Sequence, residues 1–245
     1  MDKKAKIKFN LLLAYTLVST LALGWLLLRL SGTSGKARKM DELTVKRLNV
    51  VGEDGSLRMV ISNEDRQHPG RTGGHKQKAR KRSAGLLFFN NDGDECGGLL
   101  YKVDHRDGAD QVSMSLTMDK YLNDQVIQVF NEETHKNGHA EVFRGYRINA
   151  YPEGTTLAAN LAKLEALKKI KDPKERAEKM KHFRQSAVER TRLFLGQDPQ
   201  QRDGLFLFDQ QGRPRMQIYI DEQGQPRFEV IDKNGSVKAL LKQLG

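Results

Sequence analysis

The chain has 245 residues, enough for one large domain with a core of its own, and its 38% hydrophobic content is too high for a disordered polymer and low for a compact enzyme. A single cysteine, Cys96, excludes an intramolecular disulfide and a multi-thiolate zinc site. The formal charge of +11 invites a nucleic-acid reading, but it is segmental: residues 1–47 carry +7, 48–85 +4, 86–156 −6, 157–196 +6 and 197–245 zero, so the expected folded body is slightly acidic and the cations lie on its appendages.

Residues 1–8 form a short basic tail with Lys3, Lys4, Lys6 and Lys8. The twenty residues 9–28, which open on Phe9 and close on Leu28, carry no charge (FNLLLAYTLVSTLALGWLLL). At about 1.5 Å per helical residue they match a hydrocarbon core about 30 Å thick. They predict a single transmembrane anchor over 9–30, with Arg29 closing it, Trp25 near the interface and the lipid bilayer as its partner. Small residues at 31–35 offer the rival reading of a cleaved signal peptide, although such peptides usually have an apolar core of about 7 to 15 residues. Cations flank both ends almost equally, so the positive-inside count is close to a tie. A short tail before a large C-terminal body points to a signal anchor, with the N-terminus in the cytoplasm and the body extracytoplasmic. Residues 31–42 read as a tether and 43–245 as a β-rich body.

In the body, apolar residues alternate over 43–51, 57–62, 85–90, 98–103, 112–118, 126–130 and 140–147, and again over 205–208, 215–220, 227–231 and 237–241, with turns at Asn91-Asp92-Gly93 and Asp107-Gly108. A pattern of glycine, two residues, a cation and then alternating apolar residues recurs at Gly55, Gly212, Gly224 and, more weakly, Gly235. The last three glycines follow Asp209, Asp221 and Asp232 by three residues, the spacing of a type I turn with a left-handed glycine. So many short strands exceed one flat sheet. The fold class expected is mainly β, an antiparallel sandwich or irregular barrel, with the N-terminal hairpin beside the C-terminal meander so that few edges stay open.

A helical hairpin is inserted at 157–195. Its first helix carries the stripe Leu157, Leu161, Leu164, Leu167 and Ile170. The second starts at Asp172-Pro173-Lys174-Glu175, an N-cap, a proline at the first helical position and a glutamate at the third. Its face is Ala177, Met180, Phe183, Ala187 and Thr191, and Gly196 is expected to end it.

Two groups are candidate sites. The loop 66–82 has seven cations, Arg66, Arg71, Lys76, Lys78, Arg80, Lys81 and Arg82, no acid, and Gly70, Gly73 and Gly74 to keep it irregular. It reads as a solvated segment able to meet anionic lipid or an acidic protein surface, where each cation contributes about 1 kcal/mol. It lacks stacking aromatics and a recognition helix, which disfavours nucleic acid. Asp119, Tyr121 and Asp124 are the densest polar group beside an apolar run. Paired carboxylates do acid–base work when folding brings them together and shifts their pKa values; otherwise they are a turn.

Asn90, Asp92 and Asp94 alternate like the start of a calcium loop but lack the glycine and the glutamate that complete one. Cys96, beside Asp94 and Glu95, is expected to be a poor thiolate. There is no nucleophile elbow and no phosphate loop, so no cofactor and no metal is expected.

The strings RLNVVGEDGSLRMVISN at 47–63, AGLLFFNNDG at 84–93 and DKYLNDQ at 119–125, with the glycine-turn tail, resemble a group of uncharacterised bacterial proteins that have one N-terminal membrane helix and a β-rich body. The likeness covers most of residues 41–245. It departs in the basic loop and after Gly98, where that group has another glycine pair in place of Lys102-Val103-Asp104. The resemblance implies the architecture and lends no catalytic residue. The expected function is binding, by a single-pass membrane-anchored interaction or scaffold protein with no evident catalytic activity. The alternatives are a membrane-anchored enzyme with an acidic site near Asp119 and Asp124, and a membrane-tethered nucleic-acid binder. Oligomeric state is open.

Overall fold

The structure, a computed structural model, describes residues 2–31 and 39–240, and the chain divides into two units, Met1–Thr44 and Val45–Gly245. Part of the predicted tether, 32–38, lies outside the described residues.

In the first unit, α1 (Lys3–Ser31) runs unbroken from the lysines of the tail through the apolar stretch. Its segment Lys3–Leu28 has a mean hydropathy of 2.1 and buries nothing against protein, so it is long and apolar enough to cross a membrane. The hydroxyls of Thr16 and Thr20 donate to the carbonyls of Leu13 and Thr16 at 2.9 and 2.8 Å, which satisfies them inside the helix.

The second unit is built on one antiparallel sheet. Its strands are β1 (Arg47–Val51), β2 (Leu57–Ser62), β5 (Ala84–Phe89), β6 (Glu95–Arg106), β7 (Ala109–Asp119), β8 (Gln125–Lys136), β9 (His139–Ala150), β10 (Arg190–Gln197), β11 (Asp203–Phe208), β12 (Pro214–Ile220), β13 (Pro226–Ile231) and β14 (Val237–Ala239), paired in chain order. A separate two-stranded ribbon pairs β3 (Arg71–Thr72) with β4 (His75–Lys76).

Turn chemistry makes this meander. Gly212, Gly224 and Gly235 sit at φ +76°, +75° and +85°, and their N–H groups donate to the carbonyls of Asp209, Asp221 and Asp232 at 3.0, 2.9 and 3.2 Å. Asp107-Gly108 and Asn137-Gly138 close the two longest hairpins with both residues at positive φ.

The mainly β, antiparallel expectation holds, but the sheet does not close. β1 and β14 stand at opposite ends of the strand order, so the N-terminal hairpin is as far from the C-terminal meander as the order allows, not beside it. The two long connections that could have folded one half onto the other, 63–83 and 151–189, instead leave the sheet, cross one face and return to the neighbouring position.

That covered face holds the core. Cross-strand register places Val60, Leu87, Gly98, Thr117, Gln128, Arg147, Phe194, Phe206 and Gln217 in one line. All are buried except Arg147, which is half-buried. Val60, Leu87 and Phe89 form one cluster; Phe130, Phe194 and Phe206, flanked by Phe143, Phe208 and Tyr219, form the other. In the second cluster neighbouring rings lie 4.7 to 6.2 Å apart. Glycines let these rings lie on the backbone: Gly145 faces Gly196 across β9 and β10, and a Cβ on Gly145 would come within 2.8 Å of the Phe194 ring.

α2 (Leu157–Lys168) is capped by Thr156, and α3 (Pro173–Ser186) by Asp172, whose carboxylate accepts from the N–H groups of Lys174 and Glu175 at 2.7 and 3.1 Å. The hairpin is shorter than the 157–195 expected. α3 stops at Ser186, and residues 190–197 are β10, a strand in mid-sheet. Leu193 and Leu195 point one way and Phe194 the other, which is a period of two. Gly196 therefore lies inside a strand and does not end a helix.

Candidate functional site

The covered face ends in a cleft of about 330 Å³ lined in part by Asp119, Asp124, Glu95, Arg82 and Arg80. A register slip at Met118/Asp119 sets Asp119 opposite Gln125, and the tight turn through Leu122, at φ +57°, brings Asp124 back to the same cleft. Asn123, buried, fastens that turn by donating its amide to the carbonyl of Thr155 at 3.0 Å.

Glu95 is held by a two-pronged pair: Arg82 Nη1 lies 2.6 Å from Oε2 and Nη2 lies 2.8 Å from Oε1. Asp119 Oδ1 is buried and receives no hydrogen bond. Burial, reinforced by the charges of Asp124 and Glu95 and opposed by Arg82, pushes the Asp119 carboxyl up to about 7. Asp124 is also raised by burial, against a hydrogen bond from the Gln125 N–H. The structure thus unites Asp119 and Asp124, two of the three residues of the predicted acidic site, and adds Glu95. Tyr121 is outside the cleft, 66% exposed, with its hydroxyl donating to Asp92 at 3.0 Å.

A carboxyl that titrates near neutral pH beside an arginine–glutamate pair can exchange a proton with a bound molecule. Cys96 adds no nucleophile, because burial and then Asp119 and Glu95 push its thiol up. Among the described residues no three His, Cys, Asp or Glu side chains are grouped to hold a metal ion.

The basic loop is folded, not irregular. Asp94, buried, accepts from the N–H groups of Gly73 and Gly74, both at 2.9 Å, and Arg71 Nε lies 3.8 Å from it. The Gln67 amide donates to the Gly85 carbonyl at 3.2 Å, and His68 packs edge-on against Phe89 with ring centroids 4.8 Å apart. Arg80 Nε donates to the Pro69 carbonyl at 3.1 Å. Two of the seven predicted cations, Arg71 and Arg82, therefore hold the loop onto the sheet, and Arg80 ties the loop to itself. Arg66, Lys76, Lys78, Arg80 and Lys81 are exposed. Asp94 is the loop's anchor, a role the calcium-like spacing did not reveal.

A wider groove of about 960 Å³ opens between α3 and the aromatic ladder. In it the Arg147 guanidinium lies 4.8 Å from the Phe130 ring centroid, and that of Arg202 lies 4.8 Å from Tyr219.

The other face of the sheet carries the largest feature. One row across it reads Leu48, Ile61, Leu86, Leu99, Leu116, Val129, Tyr146, Leu195, Leu205, Ile218 and Phe228. The adjacent row reads Val50, Met59, Phe88, Gly97, Met118, Ile127, Ile148, Leu193, Leu207, Met216 and Val230. Neither row holds a charge from β1 to β13; the second row ends at Lys238 on the edge strand β14. Val129 is 50% exposed, Leu195 52%, Met118 52% and Ile218 45%. In this unit the basic loop and the helical hairpin contribute to clefts on the covered face, and among the described residues both core clusters lie there too.

No protein-family model, no curated protein and no solved structure matches the chain. Sequence reasoning missed the bare face because it looked for alternation of apolar with polar residues. The available signal was its failure: Leu86-Leu87-Phe88-Phe89 and Leu205-Phe206-Leu207-Phe208 are apolar toward both faces, as in strands covered on both sides.

Proposed function

We propose that the protein is a single-pass membrane-anchored interaction module, its N-terminus in the cytoplasm and its β-rich body extracytoplasmic, and that the bare sheet face is its binding surface. The observation that carries this reading is the pair of uncharged rows crossing eleven strands. Soluble monomers rarely expose a contiguous apolar patch beyond about 300–600 Å². A face this apolar is stable in water only when something covers it. The five exposed cations of the basic loop give the same body a secondary contact with anionic lipid or an acidic surface.

Ile218→Cys, in a Cys96→Ala background of the full chain, tests the reading in native membranes. We expect its thiol to be protected from an impermeant maleimide, while Asn234→Cys, on an exposed turn, reacts in intact cells. Equal labelling of both on opened membranes contradicts a covered face, and protection of Asn234→Cys in intact cells reverses the orientation.

The enzyme reading draws on the near-neutral carboxyl of Asp119 in its cleft. It requires a ligand that gains or loses a proton there.

A further inference from the structure

Resting on the reading that the bare face binds, we infer that its occupant is the same face of a second copy of this chain, the two sheets packing as halves of a sandwich across a two-fold axis.

Size comes first. Eleven strands at about 4.8 Å spacing and two rows about 7 Å apart project roughly 700 Å², before side-chain relief and the flanking apolar residues are counted. A standard stable interface takes about 800 Å² from each partner. Tyr101, Met114 and Ile220, in the next row, extend the patch and are 53%, 48% and 46% exposed. The face is therefore of dimer size, and larger than a single helix or extended peptide covers.

Shape narrows the occupant. A sheet of this width carries the right-handed twist of its strands, so its face is a saddle. Sheets of the same hand follow that surface, packed about 10 Å apart at about 30° between strand directions. Each copy of the chain carries such a sheet with its inner rows uncharged from β1 to β13 and Lys238 exposed at the β14 edge, so like faces meet without burying an unpaired ion.

Charge separates a second copy from the bilayer. A face that lies on a membrane is rimmed by Lys and Arg. Here the charges of the flanking row are one of each sign, Arg144 and Asp203, and Lys238 on β14 is a single cation at one edge, not a rim. The cations of the body gather instead on the loop and helical hairpin of the covered side. Anchorage favours the same arrangement. Copies inserted through one helix share an orientation and are confined to two dimensions, and a two-fold axis along the membrane normal joins like faces without inverting either anchor.

The test is cross-linking in native membranes. Single cysteines are placed along one row, at Leu116, Val129, Leu195 and Ile218 in the Cys96→Ala full chain, with Asn234→Cys as an off-face control, and are treated with a mild oxidant, copper phenanthroline, which joins thiols that face each other as a disulfide. The row positions nearest the axis should yield a product of two chains, and the control none. Adding Glu at two other exposed row positions should reduce that product at least tenfold. Val129, Leu195 and Ile218 are half-exposed in the single chain, so a charge there stays solvated once the copies part: the circular dichroism should hold, while the melting temperature falls with the loss of the partner. If no row position cross-links to its own copy while Ile218→Cys stays shielded from maleimide, the occupant is another molecule: the second copy is ruled out and the binding reading stands. If no position cross-links and Ile218→Cys labels freely, both fail.

Discussion

Asp119→Asn should make the protein more stable at pH 8, with the gain disappearing toward pH 4. The sign follows from the carboxyl's environment. Folding buries Asp119 near Asp124 and Glu95 and raises it from 3.8 to about 7, so the folded state favours the protonated form. Below pH 4 both folded and unfolded chains carry the proton, and asparagine, neutral and isosteric, changes little. Between pH 4 and 7 the unfolded chain ionises freely while the folded one resists. Wild-type stability falls through that window and levels off above it. Three pKa units set a ceiling of about 4 kcal/mol, and water entering the cleft reduces the expected gain to about 2. Burial holds His68 below its ordinary value, which gives stability of the opposite sign as pH falls through 6.5. The difference between variant and wild-type urea midpoints, from pH 4 to 8, removes that contribution. A difference that stays flat means Asp119 is solvated and the cleft is a plain turn.

Gly196→Val should prevent stable folding. A Cβ at Gly196 would lie 2.1 Å from the Arg144 carbonyl oxygen and 2.6 Å from the Gly145 Cα, both backbone atoms, at a φ of +152° that side chains rarely adopt. β9 and β10 would have to part in mid-sheet, and the aromatic cluster that bridges them would open. Strain and overlap together cost about 3–6 kcal/mol, comparable to the whole stability of many domains. Gly224→Ala is the contrast. Its φ is +75° but nothing lies within 4 Å of the added carbon, so about 1 kcal/mol is expected. Thermal unfolding of the two variants side by side checks the ranking, and equal losses would mean that the glycine pair is not the seam described.

Local chemistry was legible in the sequence. The aspartate-to-glycine spacing at 209–212, 221–224 and 232–235 dictates its turns, and Asp172-Pro173 dictates where α3 starts, because each signal lies within a few residues of its effect. Where α3 stops was not, because Ala187 continues the helical stripe just as the strand pattern of Arg190–Gln197 takes over. Closure was not legible either. Whether a meander curls into a sandwich is decided by what its long connections do, and both here spend their length on one face. The pairing of Asp119 with Asp124 could be anticipated from their proximity in sequence. The Arg82–Glu95 pair and the loop's dependence on Asp94 join segments that only the finished sheet brings together.

The bare face carries its own probes. Met114 and Met118 lie on it, 48% and 52% exposed in the single chain, and Met40, in the other unit, is 53% exposed. Peroxide oxidation of the unmodified protein in native membranes, read residue by residue by mass spectrometry, compares them directly. If the face is covered, Met114 and Met118 should form sulfoxide at least tenfold more slowly than Met40, and should match it after unfolding in urea. Oxidation of all three at one rate in the native membrane would contradict a buried sheet face.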